Sequence, residues 1–385
     1  MSEFQPLPEP FLEPRHRELA ARLRSVWTAP IEEVQQAFEA TSGGFEDEDR
    51  AAREFVRHLA AEGLLEAVLE GDTRSLCLAR EELARVSGFA DSQLALQGLG
   101  SEPIRIGGSD TQREAYLGPA ARGEKVAAFA LTEPEAGSDV RSMSATAVRD
   151  GERYRLSGTK TLITNAGVAD FYCVFTRLGD GDEFAAFVLE PGDTGFEVTE
   201  RLRAMAPHPL GTLRMVDCVV PEDRRIGAEG QGLDLAFGTL ERFRPSVGAA
   251  ASGLARRALE EALGHAGRRR QFGRALGDFQ LTRTELAQSW ADWEAARLSV
   301  LRSAWILDTG GADSAAASSM GKLLATETAQ RVIDRAVQLH GGRGVVVGSV
   351  VERLYRDIRA LRIYEGTSEI QKLILGRRLM SPPST

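Results

Sequence analysis

The chain has 385 residues, 43% of them hydrophobic and 27% charged, with a net charge of −9 and a pI near 5.4. That length exceeds one typical domain, and the acidic balance leaves no basic excess to neutralise phosphates, which excludes a general nucleic-acid binder. No apolar run approaches the ~20 residues needed to span a bilayer, so membrane insertion is not expected.

The start, Met1 to Pro14, is acidic and proline-rich, unlike a signal peptide, and a cytoplasmic protein is expected. From about Arg15 to Gly123 the pattern is helical: Phe38, Phe55, Val56, Leu59, Leu64 and Leu65, then Leu76, Leu78, Leu83 and Val86 recur largely at spacings of three to five among charges. That period predicts several short helices and an N-terminal all-helical domain over 1–124. From Lys125 the period changes. Short alternating runs at Ala145–Val148, Tyr154–Leu156, Phe171–Phe175 and Phe184–Leu189 are separated by Asp150-Gly151 and Asp180-Gly181. Asp-Gly between such runs signals hairpins, so a central antiparallel β domain is expected over 125–228. Long periodic segments then predict helices over Leu240–His265, Asp278–Leu307, Ser314–Leu339 and Val350–Leu361, and from Ser368. They suit a C-terminal four-helix bundle over 229–385. The fold class is α+β, with a small sheet between two helical blocks.

Cys77, Cys173 and Cys218 are far apart in apolar contexts, which suggests neither a disulfide framework nor a metal site. The five histidines, at 16, 58, 208, 265 and 340, form no HxxxH or HxxE cluster, so no metal is expected. Lysine occurs only at 125, 160, 322 and 372.

The chemistry concentrates in five segments. Near the C-terminus, Ile363-Tyr364-Glu365-Gly366-Thr367-Ser368-Glu369-Ile370-Gln371 sets a lone carboxylate before a helix start. Ser368 and Gln371 have capping-box spacing, so the helix should begin there with unpaired N–H groups facing whatever lies beside Glu365. A base poised over a partly anionic cofactor suits that geometry, and so does a plain turn ahead of the last helix. Phe129 to Asp139 joins small residues, Gly137, and the hydroxyls of Thr132 and Ser138, which let the chain approach a planar ligand; it also reads as a polar loop after a strand. Gly158 to Asn165 offers Thr164 to another ligand heteroatom. Between two long helices lie Arg268-Arg269-Arg270-Gln271-Phe272-Gly273 and, beyond them, Gln280. A guanidinium there can fork onto phosphate, Phe272 can cover a base and Gln280 can bond its edge, although three arginines also suit the negative end of a helix. Finally, Gln338 to Gly344 frees the backbone to approach phosphate, but no strand precedes it, so it is not a dinucleotide-binding fingerprint.

Taken together and in chain order, the five segments resemble the acyl-CoA dehydrogenase family, over about residues 50–380. Leu240-Glu241-Arg242-Phe243-Arg244-Pro245 looks like the family's acidic-x-x-Arg substrate segment, and Tyr355-Arg356-Asp357 also fits. The resemblance implies that family's fold, an N-terminal helical domain, a central antiparallel β domain and a C-terminal helical bundle. It implies non-covalent FAD, its flavin ring between the β domain and the C-terminal helices. Flavin contacts would fall to Phe129, Leu131, Thr132, Ser138, Ile163 and Thr164. Pyrophosphate and adenine contacts would fall to Arg269, Gln271, Phe272, Gln280, Gln338, Gly341 and Gly342, some across the interface of a homodimer or homotetramer. Thr367 and Glu369 would close the site.

The implied reaction is α,β-dehydrogenation of an acyl thioester, with Glu365 as the catalytic base and the flavin accepting a hydride from the β-carbon. The Glu365 N–H and a ribityl hydroxyl would bond the thioester carbonyl. Arg244 would orient the Glu365 loop, Glu241 would contact the pantetheine arm, Ser138 would touch flavin and substrate, and Gly366 would line the substrate. Three departures bear on this. Leu162 stands where the family usually has Trp against the flavin, and Glu135 where it usually has Gly. The first domain reads Leu65-Glu66-Ala67-Val68-Leu69 in place of a Pro-x-x-x-Gly-Gly signature. An acyl or peptidyl carrier protein thioester therefore stands beside acyl-CoA as substrate, and oxygen beside electron-transfer flavoprotein as acceptor. Leu162 keeps open an oxygen-using flavin monooxygenase or oxidase on the same fold; Glu365 argues against it.

Overall fold

The computed structural model describes residues 11–380, apart from Trp27 and Ser42. Residues 1–10, most of the acidic, proline-rich start expected to be unlike a signal peptide, lie outside the described residues. The helices are α1 (Pro14–Val26), α2 (Thr28–Glu39), α3 (Phe45–Ala61), α4 (Leu64–Glu70), α5 (Thr73–Val86), α6 (Gly88–Gly107), α7 (Asp110–Gln112), α8 (Gly118–Ala121), α9 (Gly232–Arg268), α10 (Gln280–Asp308), α11 (Ser314–His340), α12 (Val350–Leu361) and α13 (Ser368–Met380). The chain divides into two units. One holds the chain to Ala29, Asp72–Asp91 and everything from Glu241; the other holds Pro30–Gly71 and Ser92–Leu240.

The core of the first unit is rich in alanine. Ala250, Ala251, Ala255 and Ala258 of α9 pack with Trp293 and Val300 of α10, Ala325 and Ile333 of α11, and Leu354 and Ile358 of α12. Small side chains bring helix axes close together. At Gly253 a Cβ would lie 2.0 Å from the carbonyl oxygen of Glu81 in α5, so only glycine fits the crossing. Three successive charged residues of α5 are buried, and each has a partner. Arg80 forks onto Asp91 at 2.9 and 2.8 Å, Arg297 of α10 binds Glu81 at 2.7 Å, and Arg256 of α9 binds Glu82 at 3.0 Å. Deleting one member of such a pair strands a buried charge, at a cost of about 3–5 kcal/mol.

Helix α9 begins at Gly232 rather than Leu240 and runs straight through Pro245. Proline has no N–H, so the carbonyl of Glu241 loses its donor within the helix. The hydroxyl of Ser318 in α11 replaces it, donating to the Glu241 carbonyl at 2.8 Å.

In the second unit, β1 (Ala127–Ala130), β2 (Thr146–Asp150), β3 (Arg153–Thr164), β4 (Phe171–Leu178), β5 (Phe184–Leu189), β6 (Phe196–Arg201), β7 (Leu210–Pro221) and β8 (Arg225–Ile226) form an eight-stranded sheet. Its order is β6-β7-β3-β2-β4-β5-β8, with β1 also on β4. Both Asp-Gly turns join antiparallel neighbours, β2 to β3 and β4 to β5. Two pairings are parallel, however: β1 lies opposite Phe171–Val174 and β2 opposite Arg177–Leu178 of β4. Alternation reveals which residues face the core, not which way a neighbour runs, so this departure from a wholly antiparallel sheet left no mark in the sequence. The chain leaves β4 after Ala130 and rejoins it at Thr146, and the loop between carries Thr132 and Ser138. No helix among the described residues is long and apolar enough to cross a membrane.

Candidate active site

Between α12 and α13 the chain turns through two left-handed residues, Glu365 at φ +54° and Gly366 at φ +89°. A non-glycine residue there costs on the order of 1–3 kcal/mol and persists only where its surroundings hold it. Three donors do so. Arg244 Nε donates to the Glu365 carbonyl at 3.3 Å, Lys322 Nζ to the Gly366 carbonyl at 2.6 Å, and Gln371 Nε2 to both, at 3.3 and 2.9 Å. A Cβ on Gly366 would sit 2.6 Å from Gln371 Nε2, so the turn also requires glycine.

The expected helix does begin at Ser368, but its cap is Thr367. Thr367 Oγ1 accepts from the Ile370 N–H at 3.3 Å, while the Ser368 hydroxyl donates to Glu327 at 2.5 Å. Gln371 reaches past the cap because the left-handed turn presents two carbonyls to the helix start.

The Glu365 side chain is half-buried as a whole, yet its Oε2 is fully buried with no hydrogen-bond partner among the described residues. Burial raises its carboxyl above the ordinary range, against the pull of Arg80, Lys322 and Arg244. Burial likewise lowers the proton affinity of the Lys322 ammonium and the Arg244 guanidinium, with Glu365 opposing. At the Pro245 end of the same unit, Ser314 Oγ donates to the Glu241 carboxylate at 2.5 Å.

In the second unit, Phe129 and Leu131 are buried, Thr132 is half-buried and Ser138 and Glu135 are exposed. Buried Lys160 fixes this segment, donating to the Leu131 carbonyl at 3.1 Å and to Glu133 at 2.8 Å. Glu133 in turn accepts from the N–H groups of Ser144 at 2.6 Å and Ala145 at 3.0 Å, so one carboxylate ties both ends of the loop. On β3, Ile163 is buried and Thr164 half-buried. Leu162 protrudes between them and Lys160, at φ +56° where the β3–β7 register shifts.

Arg269, Gln271 and Phe272 lie on or beside a small hairpin, β9 (Arg270–Gln271) with β10 (Arg274–Ala275), and Gln280 opens α10. All four are exposed, as are Gln338, Gly341 and Gly342 at the end of α11. The rings of His265 and His340 stack at 4.3 Å and join the ends of α9 and α11. Burial, then His340, Arg269, Arg268 and Arg343, keep His265 below its usual proton affinity. A helix C-terminus repels anions, so any anion held here would rely on these guanidiniums for its field. The backbone leaves room for one: a Cβ on Gly341 or Gly342 would meet nothing within 4 Å. The donor set and the open glycine backbone thus fit a dinucleotide.

Residues 13–124 match the acyl-CoA dehydrogenase N-terminal domain, 128–218 its middle domain and 230–380 its C-terminal domain. The chain belongs to the acyl-CoA dehydrogenase family. Caffeyl-CoA reductase-Etf complex subunit CarC of Acetobacterium woodii is 37% identical over 316 residues, covering 80% of this chain and 83% of that protein. The short-chain specific acyl-CoA dehydrogenase of Clostridium acetobutylicum is 36% identical over 315 residues, with coverage of 80% and 83%. A solved acyl-CoA dehydrogenase complexed with FAD, from Bacillus anthracis, superimposes with a TM-score of 0.84 at 30% identity, over 96% of this chain and 67% of that one. As a member of the family the chain is an FAD-dependent oxidoreductase acting on CH–CH groups, and its α+β fold class is the expected one. Sequence reasoning missed Lys322, Lys160 and Glu133; the scarcity of lysine was the signal that could have found the first two.

Proposed function

We propose that the chain oxidises an acyl-CoA to its α,β-unsaturated thioester, with Glu365 as the base that takes the α-proton. The observation that carries this reading is the buried, unpartnered Glu365 oxygen on a braced left-handed turn. An α-proton of a thioester is far too weak an acid for an ordinary carboxylate, so the base must be desolvated and the developing enolate stabilised. Burial supplies the first. For the second, the Glu365 N–H has no acceptor among the described residues and can donate to the thioester carbonyl.

When bound, FAD supplies the acceptor for the β-hydride. Phe129, Leu131, Thr132, Ser138, Ile163 and Thr164 would hold its flavin. Arg269, Gln271, Phe272, Gln280, Gln338, Gly341 and Gly342 would hold its pyrophosphate and adenine, with Thr367 and Glu369 closing the site. Glu241, positioned by Ser314 and Ser318, would meet the pantetheine arm, with Ser138 and Gly366 at the acyl group. The two relatives are named for opposite directions of a CH–CH couple, and either direction would use the same residues. Electron-transfer flavoprotein is the proposed partner, supported by the Etf complex that names the A. woodii relative. A homodimer or homotetramer is proposed, supported by Phe272 and Val347, 92% and 83% exposed. The free thiols of all three cysteines support a reducing, cytoplasmic setting. We adopt a functional division into helical 1–124, sheet 125–228 and bundle 229–385.

Anaerobic titration of the holoenzyme with acyl-CoA and carrier-linked thioesters tests this reading. Bleaching of the flavin absorbance by an acyl-CoA is expected. Bleaching by carrier-linked thioesters alone would change the substrate; reduction by NAD(P)H plus a reductase alone would favour the oxygen-using alternative.

A further inference from the structure

Lysine is scarce here: four residues in a Lys plus Arg total of 47. Lys322 is nevertheless placed in the interior of α11, 1% exposed. Its described hydrogen bond goes to a neutral carbonyl, that of Gly366. A buried ammonium without a carboxylate partner is costly, and a neutral donor could hold the same oxygen, as Gln371 does at 2.9 Å. What the amide lacks is charge.

The groups facing the Glu365 carboxyl are Arg80 of α5, Asp91 of α6, Arg244 of α9, Lys322 of α11 and the neighbouring Tyr364, while Glu241 of α9 acts on Arg244 and Glu327 of α11 on Lys322. Arg80 is forked onto Asp91, and Glu327 is occupied by Arg362 at 2.8 Å and by Ser368. Arg244 and Lys322 are therefore the cations whose hydrogen bonds end on the backbone of the turn.

We propose that Lys322 is a positioning residue for the base: its ammonium holds the Gly366 carbonyl, fixing the turn that aims Glu365, and its charge favours the carboxylate form of that base. This rests on Glu365 being the base. Burial raises the proton affinity of Glu365, and a protonated acid cannot accept the α-proton; Arg80, Lys322 and Arg244 oppose that rise, and Lys322, bonded to the Gly366 carbonyl, does so without a direct bond that would block the oxygen.

The test is rapid-mixing reduction of the holoenzyme by an acyl-CoA across a range of pH. The bleaching rate rises with pH as Glu365 ionises. In Lys322→Met the ammonium is gone, so Glu365 ionises at higher pH; the acid limb should move up by about one pH unit. Below the limb, bleaching should slow about tenfold, with substrate affinity nearly unchanged. Lys322→Arg keeps the charge and should keep the wild-type limb; Lys322→Gln serves as a second neutral variant. An unmoved limb in a neutral variant that binds FAD overturns the proposal, and so does a limb displaced equally in Lys322→Arg. Loss of FAD and of cooperative melting in both neutral variants also overturns it, because the lysine is then structural. Glu365→Gln, run alongside, separates the parent reading. If it bleaches at the wild-type rate, the base assignment fails whatever Lys322 does.

Discussion

Arg244 donates to the main-chain carbonyl of Glu365, at 3.3 Å, and leaves the buried Oε2 of its carboxylate without a hydrogen bond among the described residues. A guanidinium forked onto that carboxylate would lower its proton affinity and occupy the oxygen needed for chemistry. Bound to the carbonyl instead, it orients the turn and leaves the acid end unobstructed.

Glu365→Gln keeps the side chain's size and every main-chain bond of the turn, so FAD should remain bound. Flavin bleaching by substrate should fall by about 10²–10⁴-fold, the range for loss of a general base. Absorbance at the flavin band reads both, and bleaching at near the wild-type rate would sink the assignment.

Lys160→Met strands the Glu133 carboxylate inside the second unit. Destabilisation of about 3–5 kcal/mol is expected, with weaker retention of FAD because the Leu131 carbonyl loses its donor. Pairing it with Glu133→Gln should recover part of the stability. Thermal melts and flavin release report the two effects; a single variant that melts like wild type refutes the argument.

Glu48 is 5% exposed, its Oε2 has no hydrogen-bond partner among the described residues, and burial pushes its carboxyl up to about 7 from 4.5, with Arg201 and Arg203 opposing. The folded state therefore holds a proton that the unfolded chain has released between those values, and stability declines as pH rises through that window. Glu48→Gln should gain ~1–2 kcal/mol at pH 8, discounted for the two arginines, and nothing at pH 4. Melting temperatures at the two pH values decide it.

Leu162 is 58% exposed where the family usually carries Trp. A smaller side chain at this position should leave the reduced flavin more open to oxygen, so Leu162→Trp should reoxidise several-fold more slowly in air. Equal rates would remove the idea.

Much of this molecule was legible in the sequence because its signals are periodic. Alternation with Asp-Gly turns located the sheet, and apolar spacing located α10, α11 and α12 to within a few residues. The failures come from contacts that no local window contains. The helix expected over Leu240–His265 already passes through Pro245, but the contact that lets it do so, from Ser318 on a different helix in place of the lost N–H, is invisible locally. Ser368 has the spacing of a cap, but Glu327 claims its hydroxyl and Thr367 caps instead. Glu365 announced itself by its context. Lys322 and Lys160, which brace the turn and the loop, did not, since a lysine within a helix or strand usually reads as a solvated face.

Ser314, Ser318 and Lys322 stand four residues apart along α11, so they share one stripe of the helix. The first two hold the Glu241 side chain and carbonyl, the third holds the carbonyl of Gly366. With a rise of about 1.5 Å per residue, the helix works as a ruler marked every ~6 Å, and it sets the span from the acidic residue of α9 to the turn that bears Glu365. One residue inserted between Ser318 and Lys322 would rotate the marks by about 100° relative to each other and break the gauge, even if every named side chain were still present.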